Sequence, residues 1–65
     1  MKEYLIQAKT SRWGTVMHTN ASNDVEFLKA YDGLIKMFKA DYPEYNNDEF
    51  RGVRRETTYT DTVLT

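Results

Sequence analysis

The sequence predicts an α+β fold, in which a three-stranded antiparallel sheet carries one helix on one of its faces. Two observations lead to this prediction: alternating apolar residues mark three extended segments, and one long segment has apolar residues at helical spacing. The elements follow the order strand, strand, helix, strand. A right-handed crossover from the second strand places the third strand beside the first. The chain, residues 1–65, is predicted to form a single small domain.

The first two strands are predicted at residues 3–9, EYLIQAK, and at residues 15–19, TVMHT. Alternate residues of the first segment, Tyr4 among them, fall on one face, because side chains alternate across a strand. The intervening TSRWG predicts a short turn that pairs the strands antiparallel. Trp13 lies in this turn. It is expected either to close the small core or to act as an exposed binding anchor beside Arg12.

The helix is the clearest element of the sequence. Asn23 is a capping residue, and Glu26 three positions later completes a capping-box pattern. Pro43 disfavours helical geometry in the residue before it, so the helix is expected to end near Ala40. Gly33 weakens the helix by about 1 kcal/mol relative to Ala and allows a strand to approach closely. The predicted apolar face contains Phe27, Leu28, Tyr31, Leu34, Ile35 and Phe38.

The third strand is predicted to begin at Phe50, after the polar connection EYNNDE. Several threonines follow Val53, and threonine favours an extended backbone. Two possibilities stay open for residues 57–65. They form either a loose tail after a single strand or a short returning strand.

Leu5, Val16 and His18 are candidates for the sheet face without the helix, depending on the register of the strands. A chain of this size buries only about 60% of its unfolded surface, so its core is thin. Nine aromatic residues, five of them tyrosine, are more than such a core needs. A second copy would cover the open face, and we therefore predict a homodimer. Alternatively, the face completes a larger complex in which the protein is a subunit.

The composition argues against several classes of function. The chain has no cysteine, which excludes disulfides, thiolate catalysis and the usual zinc sites. His18 is the single histidine, and the three glycines form no phosphate loop. We therefore predict no catalytic residue, no enzymatic activity, no metal and no cofactor. No long apolar run is present, so no membrane contact is expected and the predicted location is the cytoplasm.

Residues 41–56, DYPEYNNDEFRGVRRE, place acids before bases and contain two candidate binding surfaces, unless they are only a solvated loop leading into a strand. The first surface suits a basic partner protein and consists of Asp41, Tyr42, Glu44, Tyr45, Asp48 and Glu49. The alternative is a nucleic-acid site that consists of Arg12, Arg51, Arg54, Arg55 and Tyr59. A net charge of −1 favours the first, because nucleic-acid binders usually carry a surplus of cations.

The outline EYLIQAK, TVMHT, NDVEFLKAYDGLIKMF and FRGVRRETTYT resembles small phage-encoded host-takeover proteins. Some of these inhibit host RNA polymerase, and others block nucleoid proteins by imitating the charge of DNA. The resemblance implies an inhibitor in the host cytoplasm that binds a basic protein of the nucleoid or of transcription and blocks it by charge and steric occlusion. DNA mimics are usually strongly acidic, so a net charge of −1 would require the acids to be segregated on one surface.

Overall fold

The computed structural model describes residues 2–57 and 60–65. The elements, in chain order, are β1 (Glu3–Lys9), β2 (Trp13–Thr19), α1 (Asp24–Asp41), a 3-10 turn (Pro43–Tyr45), β3 (Glu49–Thr57) and β4 (Thr60–Val63). The strands form one antiparallel sheet in the order β2-β1-β3-β4, and α1 packs on one face of it. The α+β class and the position of β3 beside β1 are therefore confirmed.

The predicted number of three strands is wrong, because the sheet has a fourth. β3 and β4 are antiparallel neighbours, with Val53 opposite Val63. Beyond the end of β4, the N–H of Leu64 donates to the C=O of Gly52 at 2.8 Å. Of the two possibilities for residues 57–65, the part that the structure describes forms the returning strand.

α1 begins after Asn23, whose side chain caps it as predicted. Asn23 Oδ1 accepts a hydrogen bond from the N–H of Glu26 at 2.8 Å, and Glu26 Oε1 accepts one from the N–H of Ser22 at 3.1 Å. The helix ends at Asp41, one residue beyond the predicted Ala40. The chain then enters the 3-10 turn, because a proline two residues later cannot continue the helix.

The core between α1 and the sheet is centred on Phe27, which is fully buried against Tyr4 and Ile6. The ring centroids of Phe27 and Tyr4 are 5.3 Å apart. Gly52 leaves the space that the Phe27 ring fills, since a Cβ there would lie 2.5 Å from Phe27 Cε2. The close approach predicted for Gly33 therefore occurs at Gly52, while the Cβ position of Gly33 is open.

The apolar face of α1 is narrower than the sequence predicts. Tyr31, Leu34 and Ile35 pack against the core beside Phe27. Leu28 was expected on this face but is 44% exposed. It follows Phe27 directly and is therefore turned by about 100° around the helix axis, away from the sheet.

Val16 also differs from the prediction, because it packs against the core under α1 and not on the opposite face. The reason is a β-bulge in β2. Ile6 pairs with Met17 and Gln7 with Thr15, so Val16 is an extra residue between them. A bulge shifts the alternation of side chains by one position, which brings Val16 to the helix side.

The sheet face without the helix carries Leu5 and His18, as expected, but it is not an open apolar surface. Leu5 and its cross-strand neighbour Val53 are fully buried within one chain. β2 begins at Trp13, so Trp13 lies in this strand and not in the turn. The guanidinium of Arg51 lies 4.3 Å from the centre of the Trp13 ring, and the two long side chains form part of the cover of this face.

Candidate protein-interaction groove

An open groove runs between β2 and the C-terminal half of α1. It exists because Phe27 seats the helix over β1 and β3, so that α1 does not cover the edge strand β2 closely. We call it the acidic groove, with a volume of about 610 Å³. Its lining includes Met17, Met37, Asp41, Tyr42, Glu44 and Tyr45.

The aromatic wall of the acidic groove is held by Phe38. The centroid of its ring lies 4.9 Å from that of Tyr42 and 4.9 Å from that of Tyr45. The 3-10 turn after α1 brings Tyr45 back toward the helix. Phe50 of β3 packs behind Phe38 and Tyr45, and its ring centroid lies 6.0 Å from that of Phe38 and 6.4 Å from that of Tyr45. Tyr42 nevertheless remains 49% exposed, so its ring offers a firm apolar contact that is open to a partner.

Asp41 and Glu44 give the groove its negative charge. Both residues are exposed, and Asp41 occupies the last turn of α1. A carboxylate at the C-terminal end of a helix is unfavourable, because the helix dipole is negative there. Among the described residues that line the groove, none is Lys or Arg. The described lining of the groove therefore carries negative charge, over a surface that is mixed polar and apolar.

Met37 was not singled out from the sequence, although it is 64% exposed at the groove. Its exposure depends on how far α1 lies from β2, and no local pattern encodes that distance. A signal was nevertheless present, since a methionine on the polar side of an amphipathic helix is a candidate contact residue at an adaptable binding surface.

The six residues predicted to bind a partner divide into two groups. Asp41, Tyr42, Glu44 and Tyr45 line the acidic groove together. The remaining two, Asp48 and Glu49, lie outside its lining: Asp48 follows the 3-10 turn, and Glu49 begins β3 opposite a lysine of β1.

A second, smaller depression continues the acidic groove toward the start of α1. It has a volume of about 340 Å³ and shares Met17 and Leu34 with the acidic groove. Ala30 and Phe27 contribute to its apolar floor, and Glu26 brings a carboxylate to its far end. The two depressions adjoin along β2 at Met17 and Leu34, with a carboxylate toward each end, and we call them together the channel.

The arginines proposed for the alternative nucleic-acid site do not share one surface. Arg54 faces α1 and forms an ion pair with Asp24, which also accepts a hydrogen bond from Tyr4. Its Nε lies 3.2 Å from Glu56 Oε1 without the geometry of a hydrogen bond. Arg55 points to the opposite face, because neighbouring residues of a strand alternate.

Arg51 and Arg55 share the face without the helix, and both are already engaged. Arg55 Nε donates to Asp61 Oδ1 at 2.8 Å, and Nη2 donates to Oδ2 at 3.1 Å. Arg51 Nε donates to Gln7 Oε1 at 2.8 Å. Arg12 lies in the turn before β2, directly before Trp13, whose ring contacts the guanidinium of Arg51. Tyr59, the fifth member of the set, lies outside the described residues.

His18 lies on the exposed surface of β2, 3.8 Å from Glu3, and has no second acidic neighbour that would complete a metal site. Across residues 2–57 and 60–65, no three His, Asp or Glu side chains are grouped closely enough to bind a metal ion. In the same ranges, no helix has both the length and the apolar character needed to span a membrane.

Comparison of the chain with protein-family models, with curated proteins and with solved structures gives no match. The groove and its chemistry are therefore the structural basis for proposing a function.

Proposed function

We propose that this protein is a non-enzymatic interaction module whose acidic groove binds a basic protein. The observation that carries the proposal is the clustering of Asp41, Tyr42, Glu44 and Tyr45 around one open groove whose described lining contains no Lys or Arg. Carboxylates at the rim attract a cationic partner and set its orientation, while the exposed Tyr42 and the partly buried Tyr45 supply contact area once it has bound.

A protein of the nucleoid or of the transcription machinery is the partner that we propose, because a surface evolved for phosphates carries the cations that this groove complements. Binding would block that surface by charge and steric occlusion. An inhibitory role in a phage-infected cell follows from the resemblance to host-takeover proteins. Direct nucleic-acid binding is the alternative. It would use Arg51 and Arg55 on the face without the helix, where both already donate hydrogen bonds within the chain, while Arg54 lies on the other face.

The proposal is tested by an affinity pull-down from bacterial lysate, treated with nuclease and washed at low and at high salt. We expect a basic protein to be retained after nuclease treatment and released at high salt, since exposed charge pairs are screened by ions. With the purified partner, Asp41→Asn combined with Glu44→Gln should weaken binding by roughly tenfold or more.

Asp48→Asn combined with Glu49→Gln is the matched control. It removes the same amount of charge from the neighbouring segment but leaves the lining of the acidic groove intact. An equal loss of affinity in both double variants would show that net charge, and not the groove, determines binding. Recovery of nucleic acid alone, lost on nuclease treatment, would contradict the proposal and favour the arginine site.

A further inference from the structure

The edge of the sheet at β2 is unpaired and lies directly beside the channel formed by the two depressions. β2 has one strand neighbour, β1, among the strands that the structure describes. An edge strand presents a row of backbone N–H and C=O groups that an extended peptide can pair with. The channel offers such a peptide a place for the side chains that point toward α1.

β2 differs from a protected edge strand. Its sequence, WGTVMHT, contains neither Pro nor Lys, the residues that most often block an edge. The bulge at Val16 is the protective feature present in this strand. The opposite edge, β4, is only four residues long and offers a shorter template.

The channel has a defined order of chemistry along β2. Asp41 and Glu44 lie toward one end, near Thr15, and Glu26 lies toward the other, near Thr19. Met17 and Leu34 occupy the middle, where the two depressions meet. Because of the bulge at Val16, Thr15 pairs with Gln7 and Thr19 with Tyr4, so the stretch from Thr15 to Thr19 spans three residue steps of β1. Side chains at i, i+2 and i+4 of an extended peptide face the same side, and lysines at i and i+4 are long enough to reach carboxylates at the two ends of this stretch.

We propose that the partner inserts an extended segment with the pattern basic-x-apolar-x-basic, which pairs with β2 as a fifth strand. The two cations would meet the carboxylates at the ends of the channel, and the central apolar side chain would contact Met17 and Leu34. This inference rests on the proposed function and specifies how that partner is held. Backbone pairing supplies affinity, and the spacing of charges supplies selectivity.

A second copy of the chain fits this edge poorly. It would bring its own Glu26, Asp41 and Glu44 to the seam, and like charges facing one another oppose association. The strand that it would contribute, β2, has no lysine or arginine to form ion pairs with those carboxylates.

The probe is a synthetic peptide containing Lys-Thr-Val-Thr-Lys, flanked by threonines and titrated into the labelled full-length protein by two-dimensional NMR. The pattern is the same in both directions, so it serves parallel and antiparallel pairing alike. We expect the amide signals of β2 to shift and their hydrogen exchange to slow by roughly tenfold or more, as new hydrogen bonds form. Amides of β4, the other edge, should not change.

Three control peptides separate the contributions of charge, of charge spacing and of backbone hydrogen bonds to binding. Replacing both lysines by glutamate should abolish binding, and placing the two lysines side by side should weaken it at unchanged charge. A peptide with N-methyl groups on four successive central amides keeps its side chains but cannot donate to β2. It should bind at least roughly tenfold more weakly.

The outcomes distinguish the two proposals. If the pull-down yields a basic protein that depends on Asp41 and Glu44, but the peptide and the partner leave β2 exchange unchanged, strand addition is wrong and the proposed function stands. If the N-methylated peptide binds as well as its parent, strand addition is again wrong. If neither the peptide nor a basic protein binds, both proposals fail.

Discussion

At the scale of single residues, the contact between Phe27 and Gly52 has the strongest influence on the structure. The Phe27 ring occupies the volume that any side chain at position 52 would need. Phe27 is also the residue that seats α1 over β1 and β3 through its contact with Tyr4. The absence of a side chain at Gly52 therefore determines how close the helix lies to the sheet, and with it the width of the channel beside β2.

Substitution of the two glycines by alanine should have opposite effects on stability. Gly52→Ala places a methyl group against Phe27 and should lower the free energy of unfolding by about 1–3 kcal/mol, the usual cost of overpacking. Gly33→Ala is the matched control, because its Cβ position is open. Within α1, it should raise the free energy of unfolding by about 1 kcal/mol through helix propensity. Urea denaturation followed by circular dichroism measures both, and equal effects would contradict the packing argument.

The sequence could predict the residues whose role depends on their neighbours in the chain. It could not predict residues whose role depends on another element, as the two glycines show. Asn23 and Glu26 form their cap through neighbouring atoms of one segment, so spacing alone was sufficient. The choice between Gly33 and Gly52 depends on an aromatic ring from another element. Helix propensity carries no information about that contact.

At the scale of elements, the β3–β4 hairpin depends on side-chain contacts across two exposed strands. Arg55 and Asp61 face one another in the register and form two hydrogen bonds. The side chains of β4 are exposed along its whole length. β4 therefore has little apolar burial and relies on backbone pairing and on this ion pair, which protonation of Asp61 would weaken.

Acid should weaken the attachment of β4. The hydrogen bonds from Arg55 hold the pKa of Asp61 below its ordinary value of 3.8. Because the folded carboxylate binds a proton less readily than the unfolded one, its contribution to stability is present above that ordinary pKa and is lost as the pH falls through the lowered value. We expect amide exchange in β4, corrected for its intrinsic rate, to accelerate over that range. Asp61→Asn should accelerate exchange at neutral pH and remove this part of the acid dependence.

The acid dependence of β4 exchange in Asp61→Asn also tests whether Asp61 is the carboxylate responsible. If the variant retains the full acid dependence of β4 exchange, then another carboxylate is responsible. Glu3 lies on the same face, opposite Arg55 in the register of β1 and β3, and Glu3→Gln is the corresponding control.

The sequence predicted which segments form strands and the helix, but not where the strands end or where a strand is irregular. Alternation located β1 and the start of β3, but the threonines after Val53 favour an extended backbone without showing where the chain reverses. The bulge at Val16 is invisible in the sequence, because an extra residue in a strand leaves the composition unchanged. That single residue moved Val16 from the predicted face to the core.

At the scale of the whole molecule, part of the negative charge is concentrated at the channel beside β2, although the net charge is only −1. Among the described residues, the channel lining contains Glu26, Asp41 and Glu44 but no Lys or Arg. Arg51, Arg54 and Arg55 are engaged on the two faces of β3. Arg54 lies on the other sheet face from Arg51 and Arg55, and this could have been predicted from the alternation of side chains along a strand. The clustering of Asp41 with Glu44 at a groove could not, since it depends on where the 3-10 turn returns against Phe38.

The homodimer predicted from the sequence remains to be tested, but its original reason no longer applies. It was meant to cover an apolar face that includes Leu5, and Leu5 is fully buried within one chain, as is Val53. The channel carboxylates also oppose pairing of two copies through β2. We therefore expect sedimentation equilibrium to give a mass of 7.7 kDa that does not rise with protein concentration. A mass near twice that value would restore the dimer. Asp41→Asn with Glu44→Gln would then locate its interface: stronger association would place it at the channel, and unchanged association would place it elsewhere.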